Sequence, residues 1–324
     1  MKPGKEFREL VETELGKEYS WNRLEKGLNE VYVIESGEES LVVKEHTNDE
    51  NDLEWFRSEP RIYQLLSNND SAPSPEIVHV DFSMEKHPNC FYVMEKIEGE
   101  NPEKFIGKWT VKSWKNLLYS YGEILSQIHE AREFETYGLL AGENGDIVPV
   151  DDAEKWSWSI NGMKESLMDI IGDKWGDPPE IDAPSMEWIH EKVPGEPGAV
   201  LVHSDNRLDN LIVRDGRING FLDWSHPRSG HGLYDLVRAE YLLIEWDLKK
   251  EGQERDELRQ ELYRGYGRQD LLEDSSFEKL RQFYRFCTVL WIAAGFPNWS
   301  SDWEKEARQE MRSEIIERLE QEKL

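Results

Sequence analysis

The 324-residue sequence has only two cysteines, Cys90 and Cys287, and neither lies in a Cys-x-x-Cys pair. A disulfide framework or a structural zinc site is therefore not expected. Both residues adjoin apolar runs, which fits reduced core cysteines in a cytoplasmic protein. No run of about 18 apolar residues occurs, so no membrane span is expected. The opening residues Met1-Lys2-Pro3-Gly4-Lys5 lead into a charged helical pattern and not an apolar signal region. Basic residues are scarce: 39 Lys and Arg face 67 Asp and Glu, a formal net charge of -28. Nucleic acid is disfavoured as a partner, because a basic footprint supplies most of that binding. A hydrated acidic surface of the kind used in high salt accounts for the charge. A field that attracts a cationic substrate would also produce it, although salt screens such a field.

Aromatic residues are plentiful, with 13 Trp, 12 Tyr and 11 Phe, enough to build a sizeable core from a chain that is only 38% hydrophobic. Phe7, Leu10, Val11 and Leu15 recur at helical spacing. Strand-like runs follow at 21–24, 31–34 and 41–43, the last two joined by a Gly-containing turn. Residues 52–66 read as a helix interrupted by Pro60, which predicts a kink or restart near Glu59. Two more strands are expected at 77–82 and 90–97. Glu98-Gly99-Glu100-Asn101-Pro102 then breaks the pattern and sets the expected boundary between an N-terminal lobe, 1–98, and a C-terminal lobe, 99–324. Beyond it the pattern is mainly helical, at 111–129, 156–171, 185–192, 234–250, 256–266, 277–294 and 303–320, with 137–152 reading as loop. The expected class is α+β, a small antiparallel sheet plus helix followed by a larger, mainly helical lobe.

One stretch breaks the helical pattern and carries the chemistry. Val200-Leu201-Val202 reads as a short buried strand that delivers His203-Ser204-Asp205 into a loop. Leu211-Ile212-Val213 and Ile218 to Leu222 form a hairpin through Asp215-Gly216, returning Asp223 beside Asn210. Asp205 is placed to accept the proton of an attacking hydroxyl. Asn210 and Asp223 make an oxygen-only pair suited to Mg²⁺ on nucleotide phosphates, not to zinc or copper.

The run His203-Ser-Asp-Asn-Arg-Leu-Asp-Asn-Leu-Ile-Val, continued by Phe-Leu-Asp-Trp, resembles the aminoglycoside phosphotransferase (choline-kinase-like) branch of the protein-kinase-like superfamily. The resemblance covers nearly the whole chain and implies a two-lobe kinase-like fold. It makes Asp205 the catalytic base, Asn210 and Asp223 the Mg²⁺ ligands, and His203 the loop-stabilising histidine. Lys44, ending Leu-Val-Val-Lys, corresponds to the lysine on the α- and β-phosphates, with Glu59 as its acidic partner and Glu54 as the fallback. Phe91-Tyr-Val-Met-Glu-Lys-Ile-Glu-Gly resembles the interlobe hinge. Met94 would guard the adenine pocket, and the backbone of Glu95 and Ile97 would bond the adenine edge. Gly27-Leu28-Asn29-Glu30 matches the phosphate-covering loop with a single glycine, which gives Gly27 and Asn29 a place at the nucleotide. Arg207 occupies a position where related kinases direct a cation toward the γ-phosphate. Ser204 replaces the usual glycine before the catalytic aspartate. Asp235 is expected as structural support.

These residues imply Mg²⁺-dependent transfer of the γ-phosphoryl of ATP or GTP to a hydroxyl of a small molecule. The acceptor is open: an aminoglycoside, a choline-like alcohol, an amino-sugar or amino-acid hydroxyl, or a metabolite sugar. Trp156, Trp158, Trp246, Asp247, Trp291, Phe296, Trp299 and Trp303 are candidates to line its site, and aromatics beside acids would suit a cationic one. The alternative is a nucleotide-binding pseudokinase or regulatory kinase-like module. A protein kinase is disfavoured by the short stretch after Asp223, which lacks an Ala-Pro-Glu-type end.

Overall fold

The computed structural model describes residues 3–24, 29–47, 53–143, 145–150 and 152–324. Helix α1 (Lys5–Leu15) precedes strands β1 (Ser20–Leu24), β2 (Glu30–Ser36) and β3 (Glu39–Glu45). Helix α2 (Leu53–Asn68) and strands β4 (Ile77–Asp81) and β5 (Phe91–Glu95) follow. The strands form one antiparallel sheet in the order β1-β2-β3-β5-β4.

Side-chain alternation decides what each face of this sheet carries. Phe7 and Val11, one helical turn apart on α1, bury against Trp21, Tyr32, Ile34, Val43, Phe91 and Val93. Tyr92 points the other way, into a cluster with Cys90 and Phe56 of α2. Lys44 follows Val43 in β3 and so belongs to the α2 side, between Val31 and Tyr92 in the ladder. That parity aims its ammonium at α2.

Pro60 neither ends nor restarts α2, which is continuous from Leu53 to Asn68. A proline forfeits one intrahelical hydrogen bond and costs about 3 kcal/mol in a helix interior. Phe56, Glu59, Ile62, Tyr63 and Leu66 are buried on both sides of it. Packing of that length outweighs the local preference.

The larger lobe holds α3 (Val111–Glu130), β6 (Glu133–Phe134), β7 (Gly138–Glu143), β8 (Asp146–Pro149), α4 (Trp156–Lys174) and α5 (Met186–Lys192). It continues with β9 (Ala199–Val202), β10 (Leu211–Arg214), β11 (Arg217–Phe221), β12 (Arg228–Gly230) and α6 (Gly232–Ala239). A π-helical segment (Glu240–Asp247) leads on to α7 (Gly252–Tyr266), α8 (Ser275–Trp299) and α9 (Lys305–Gln321). Two expectations need correction. Residues 137–152 are not loop: β7 and β8 join a second sheet in the order β6-β9-β12-β7-β8. Gly138, Ala141 and Gly142 give β7 little intrinsic strand preference, and pairing with β12 and β8 supplies what propensity does not. The helix expected at 234–250 instead changes from α to π winding at Glu240.

Residues 98–100, just past β5, are bonded to the β10–β11 hairpin. Glu100 and Val213 exchange backbone hydrogen bonds of 2.9 and 2.8 Å. The Asn219 side-chain amide donates to the Glu98 carbonyl at 2.8 Å. Gly99 sits at φ 137°, and a Cβ there would stand 2.5 Å from the Val213 carbonyl oxygen, so only glycine fits. Cys90 and Cys287 are unpaired and buried. No helix among the described residues is long and apolar enough to cross a membrane.

Candidate active site

Strand β9 ends at Val202, and the next three residues are fixed by one buried carboxylate. Asp235, on the first turn of α6, accepts the backbone N–H of His203 at 2.8 Å and of Ser204 at 3.1 Å. His129 of α3 lies 3.3 Å from the same carboxylate, and its other ring nitrogen is 2.7 Å from the Tyr266 hydroxyl. Burial alone would raise the Asp235 pKa. The His129 and His203 contacts outweigh it, and the carboxyl is held below its ordinary value.

His203 is fully buried and its tautomer follows from its neighbours. The Asp205 backbone N–H can only donate, and it points at Nδ1 from 3.1 Å. Nδ1 is therefore the acceptor and Nε2 carries the proton, which it donates to the Leu222 carbonyl at 3.0 Å. Leu222 immediately precedes Asp223, so one imidazole ties the two acid-bearing segments together. Asn210 adds a second tie. Its side-chain amide donates to the Asp205 carbonyl at 2.8 Å, and its backbone carbonyl accepts the Leu222 N–H at 2.8 Å.

The smaller lobe contributes Lys44 and α2. Lys44 Nζ is 2.6 Å from Glu59 Oε2 and 3.7 Å from Asp223 Oδ1. Burial opposes the ammonium charge, but Glu59 and Asp223 more than offset it and the pKa is raised. Tyr63, four residues after Glu59 and so on the same helix face, donates to Glu59 Oε1 at 3.0 Å. Its hydroxyl oxygen accepts the Asp223 N–H at 3.0 Å. The expected partner, Glu59, is thus the one that meets Lys44, despite the proline beside it.

On the opposite side of the loop, Arg207 grips Asp205 with two bonds, Nε to Oδ1 at 2.7 Å and Nη2 to Oδ2 at 2.9 Å. Its remaining nitrogen is 3.1 Å from Asp209. Burial would push the Asp205 carboxyl up, but this clamp holds it below the ordinary range. Arg207 therefore lies on Asp205 and Asp209, not directed away from them. Asp247, last residue of the π-helical segment, accepts the Leu208 N–H at 2.8 Å. Burial, aided by the Asp209 and Glu103 charges, pushes Asp247 up to about 7, and burial brings Asp209 to about 6.

Two backbone conformations at this centre are strained. Ser204 has φ 68° and Asp223 φ 63°, both in the left-handed region that favours glycine. Arg238 of α6 donates to the Ser204 carbonyl and stacks on Trp291, 4.2 Å from the ring centre.

The expected hinge residues lie in and just beyond β5. Met94 pairs with Val42 and Ile77 and is half-buried. The Glu95 N–H is donated to the Glu76 carbonyl at 2.8 Å and is closed to a ligand. The Ile97 N–H has no acceptor among the described residues. Asn29 is half-buried, and its side-chain oxygen has no partner among the described residues. Gly27 lies outside them.

Mg²⁺ fits this donor set. Asn210 spends its amide on Asp205 and keeps its oxygen free of hydrogen bonds among the described residues. Asp223 is two-fifths exposed and oxygen-donating. No cluster of three or more His, Cys, Asp or Glu that could hold an ion occurs among the described residues. Mg²⁺ in nucleotide sites needs only one or two protein oxygens plus phosphates.

Of the aromatic candidates for an acceptor site, Trp156 is core, donating to the Tyr284 hydroxyl at 2.9 Å. Trp158, Trp299 and Trp303 are exposed. Tyr63, His129, Arg238 and Asp209 hold or crowd the site and were not anticipated. The one available signal was the i,i+4 spacing of Glu59 and Tyr63.

No curated protein sequence matches the chain. Solved structures share its fold. Aminoglycoside phosphotransferase APH(2'')-IIa, in a ternary complex with streptomycin and ATP, is 17% identical with TM-score 0.62, covering 98% of this chain and 97% of that one. APH(2'')-Ib, ADP-bound, gives the same four values. A thermostable mutant of APH(4)-Ia, bound to AMP-PNP and hygromycin B, is 13% identical with TM-score 0.64 and 98% coverage of both chains. The model of the phosphotransferase enzyme family (APH) matches residues 20–283, most of the chain and all of the centre built above. This protein belongs to the phosphotransferase enzyme family, as a small-molecule kinase.

Proposed function

We propose that this kinase transfers the γ-phosphoryl of ATP to a hydroxyl of a small molecule, with Asp205 as the base that receives the hydroxyl proton. The observation that carries the reading is the convergence of Lys44, Asp205, Asn210 and Asp223 from both lobes, each held by a named partner. ATP as donor is supported by the ATP, AMP-PNP and ADP complexes of proteins with this fold.

Lys44, kept charged by Glu59, would grip the α- and β-phosphates. Asn210 and Asp223 would hold Mg²⁺, which when bound neutralises charge on the nucleotide phosphates. The Ile97 N–H, with Met94 at the back of the pocket, would meet the adenine edge. Asp205 cannot receive a proton well while Arg207 donates two hydrogen bonds to it. An incoming γ-phosphate competes for that guanidinium, so Arg207 would turn toward the nucleotide and free the base. Positioning and charge neutralisation then account for most of the rate. The acceptor would enter on the Asp209–Asp247 side of the loop. Hygromycin B and streptomycin in the neighbouring complexes make amino sugars the first panel to screen.

Asp205→Ala should lower turnover by orders of magnitude and leave ATP affinity nearly intact. Wild-type turnover in that variant would remove Asp205 from the role. Asp223→Ala should instead weaken Mg²⁺-ATP binding by calorimetric titration. Tight Mg²⁺-ATP binding with no ATP consumption on any hydroxyl acceptor would favour the pseudokinase alternative.

A further inference from the structure

Far along the larger lobe, the ends of α4 and α8 meet the first turns of α9 around a cavity of about 220 Å³. Trp175 and Phe296 form its apolar wall, with ring centres 5.4 Å apart. The Trp175 indole N–H is tied to the Ala293 carbonyl at 2.8 Å, which fixes the ring. Phe296 also meets Trp299, a partly exposed ring, at 5.1 Å.

The charged lining is entirely basic: Lys174, Lys305, Arg308 and Arg312. Acids outnumber bases 67 to 39 in this chain, so a basic lining free of Asp and Glu runs against its composition. Among the described residues Lys174, Lys305 and Arg308 make no ion pair. Arg312 reaches only the fully exposed Asp177, at 3.8 Å, and its backbone carbonyl. The contrast with a second arginine-rich cavity, about 350 Å³ between α7, α8 and α9, is instructive. There Arg281 is paired with the buried Glu240, and Arg285 with Glu245 and Glu322. Those arginines are already neutralised by the fold; among the described residues Lys174, Lys305 and Arg308 are not, and Arg312 meets only the exposed Asp177.

The two arginines are also oriented. Arg308 lies over Phe296 at 5.8 Å and Arg312 over Trp175 at 5.2 Å. A guanidinium held over a ring keeps N–H groups for a carboxylate: the Arg308 guanidinium makes no hydrogen bond among the described residues, and Arg312 spends one nitrogen on the Asp177 carbonyl. Size limits the rest of the ligand. A cavity of about 150 Å³ takes up benzene, so this one, at about 220 Å³, has room for one or two fused rings.

We propose that this cavity is a second ligand site, for a small planar aromatic carboxylate whose ring lies against Trp175 and Phe296 and whose carboxylate bonds Arg308 and Arg312. The site shares no residue with the phosphotransfer centre, and the inference does not rest on that reading.

The test uses the full chain without nucleotide, titrated calorimetrically with indole-3-carboxylate, then with neutral indole and with acetate. One-to-one binding with a dissociation constant of about 1 mM or tighter is expected for a fragment of this size. Both controls should bind at least roughly tenfold more weakly, because each lacks one of the two contacts. Arg308→Gln combined with Arg312→Gln should cost at least roughly tenfold. Lys305→Gln, an exposed change that leaves the fold alone, should weaken binding several-fold, whereas Arg255→Gln in the other cavity should not. No saturable binding by the wild type, equal binding of indole, or unchanged affinity in the folded double variant would overturn the proposal.

Discussion

The Tyr63 hydroxyl accepts the Asp223 backbone N–H at 3.0 Å while donating to Glu59 at 3.0 Å, so one phenol joins the Lys44 partner to the strained residue expected to hold the metal. Asp223 stays in a left-handed conformation only if its surroundings enforce it. Tyr63→Phe removes the acceptor and leaves both the N–H and a Glu59 oxygen unpaired in a buried place. A cost of about 1–3 kcal/mol in stability is expected. Because the hydroxyl touches no expected acceptor group, the KM for ATP should rise more than kcat falls. Chemical denaturation and steady-state kinetics read both effects, and a variant with wild-type midpoint and KM would show the bond to be idle.

Arg207 and Asp205 give a prediction with a definite sign in pH. The guanidinium keeps the Asp205 carboxyl below its ordinary range against the pull of burial. Arg207→Gln removes the strongest influence opposing burial and leaves only His203 and Arg238 against it, so the pKa rises and the base is protonated at higher pH. The acid limb of the kcat/KM profile should therefore move upward in pH. If Arg207 also serves the γ-phosphate, the plateau should drop roughly 10- to 100-fold, the value of one charge-assisted contact. An unmoved acid limb would mean that Asp205 is not the titrating base.

Much of this centre was legible because its parts are consecutive. His203 to Trp224 spells out loop, hairpin and returning acid within one stretch, and Lys44 stood out at the end of Leu-Val-Val-Lys by its resemblance to the family's phosphate lysine. Tyr63, His129 and Arg238 were not legible, since each reads as an ordinary helix position. Only the packing of α2, α3 and α6 around the loop brings their polar tips to it. Strands β7 and β12 escaped notice because their glycines carry no period, and β8 because it is only four residues long. Pro60 misled in the other direction, where tertiary burial overrode a local rule. Asp247 was noticed for its charge beside Trp246, whereas its bond to the Leu208 N–H depends on a π-helical turn that no periodicity announces.

Asp247 makes stability depend on pH near neutrality. Leu208 N–H and Arg207 favour its charge, while burial and the facing Asp209 and Glu103 disfavour it, and the balance leaves it at about 7. With a folded pKa above the ordinary aspartate value of about 3.9, the folded chain binds the proton more tightly. The stability so gained is complete below the ordinary value and is lost as pH rises through about 7. Asp247→Asn keeps an oxygen for Leu208 and removes the titration. The variant should lose less stability than wild type between about pH 5 and pH 8 and be the more stable of the two at pH 8. Urea midpoints measured across that range decide it, and parallel curves would sink the assignment.

Ser204 is the residue whose replacement should improve the protein. At φ 68° it occupies a conformation that costs a non-glycine residue about 1–2 kcal/mol. Its buried hydroxyl has no hydrogen-bond partner among the described residues, a further penalty. The contacts that hold this position, to Asp235 and from Arg238, both use the Ser204 backbone and survive loss of the side chain. Ser204→Gly forfeits about 0.4–1 kcal/mol through the looser unfolded chain. The net should be stabilising by about 1 kcal/mol, with turnover close to wild type. A lower denaturation midpoint in Ser204→Gly would mean that the hydroxyl has a partner in solution, and that serine stands at this position for that contact.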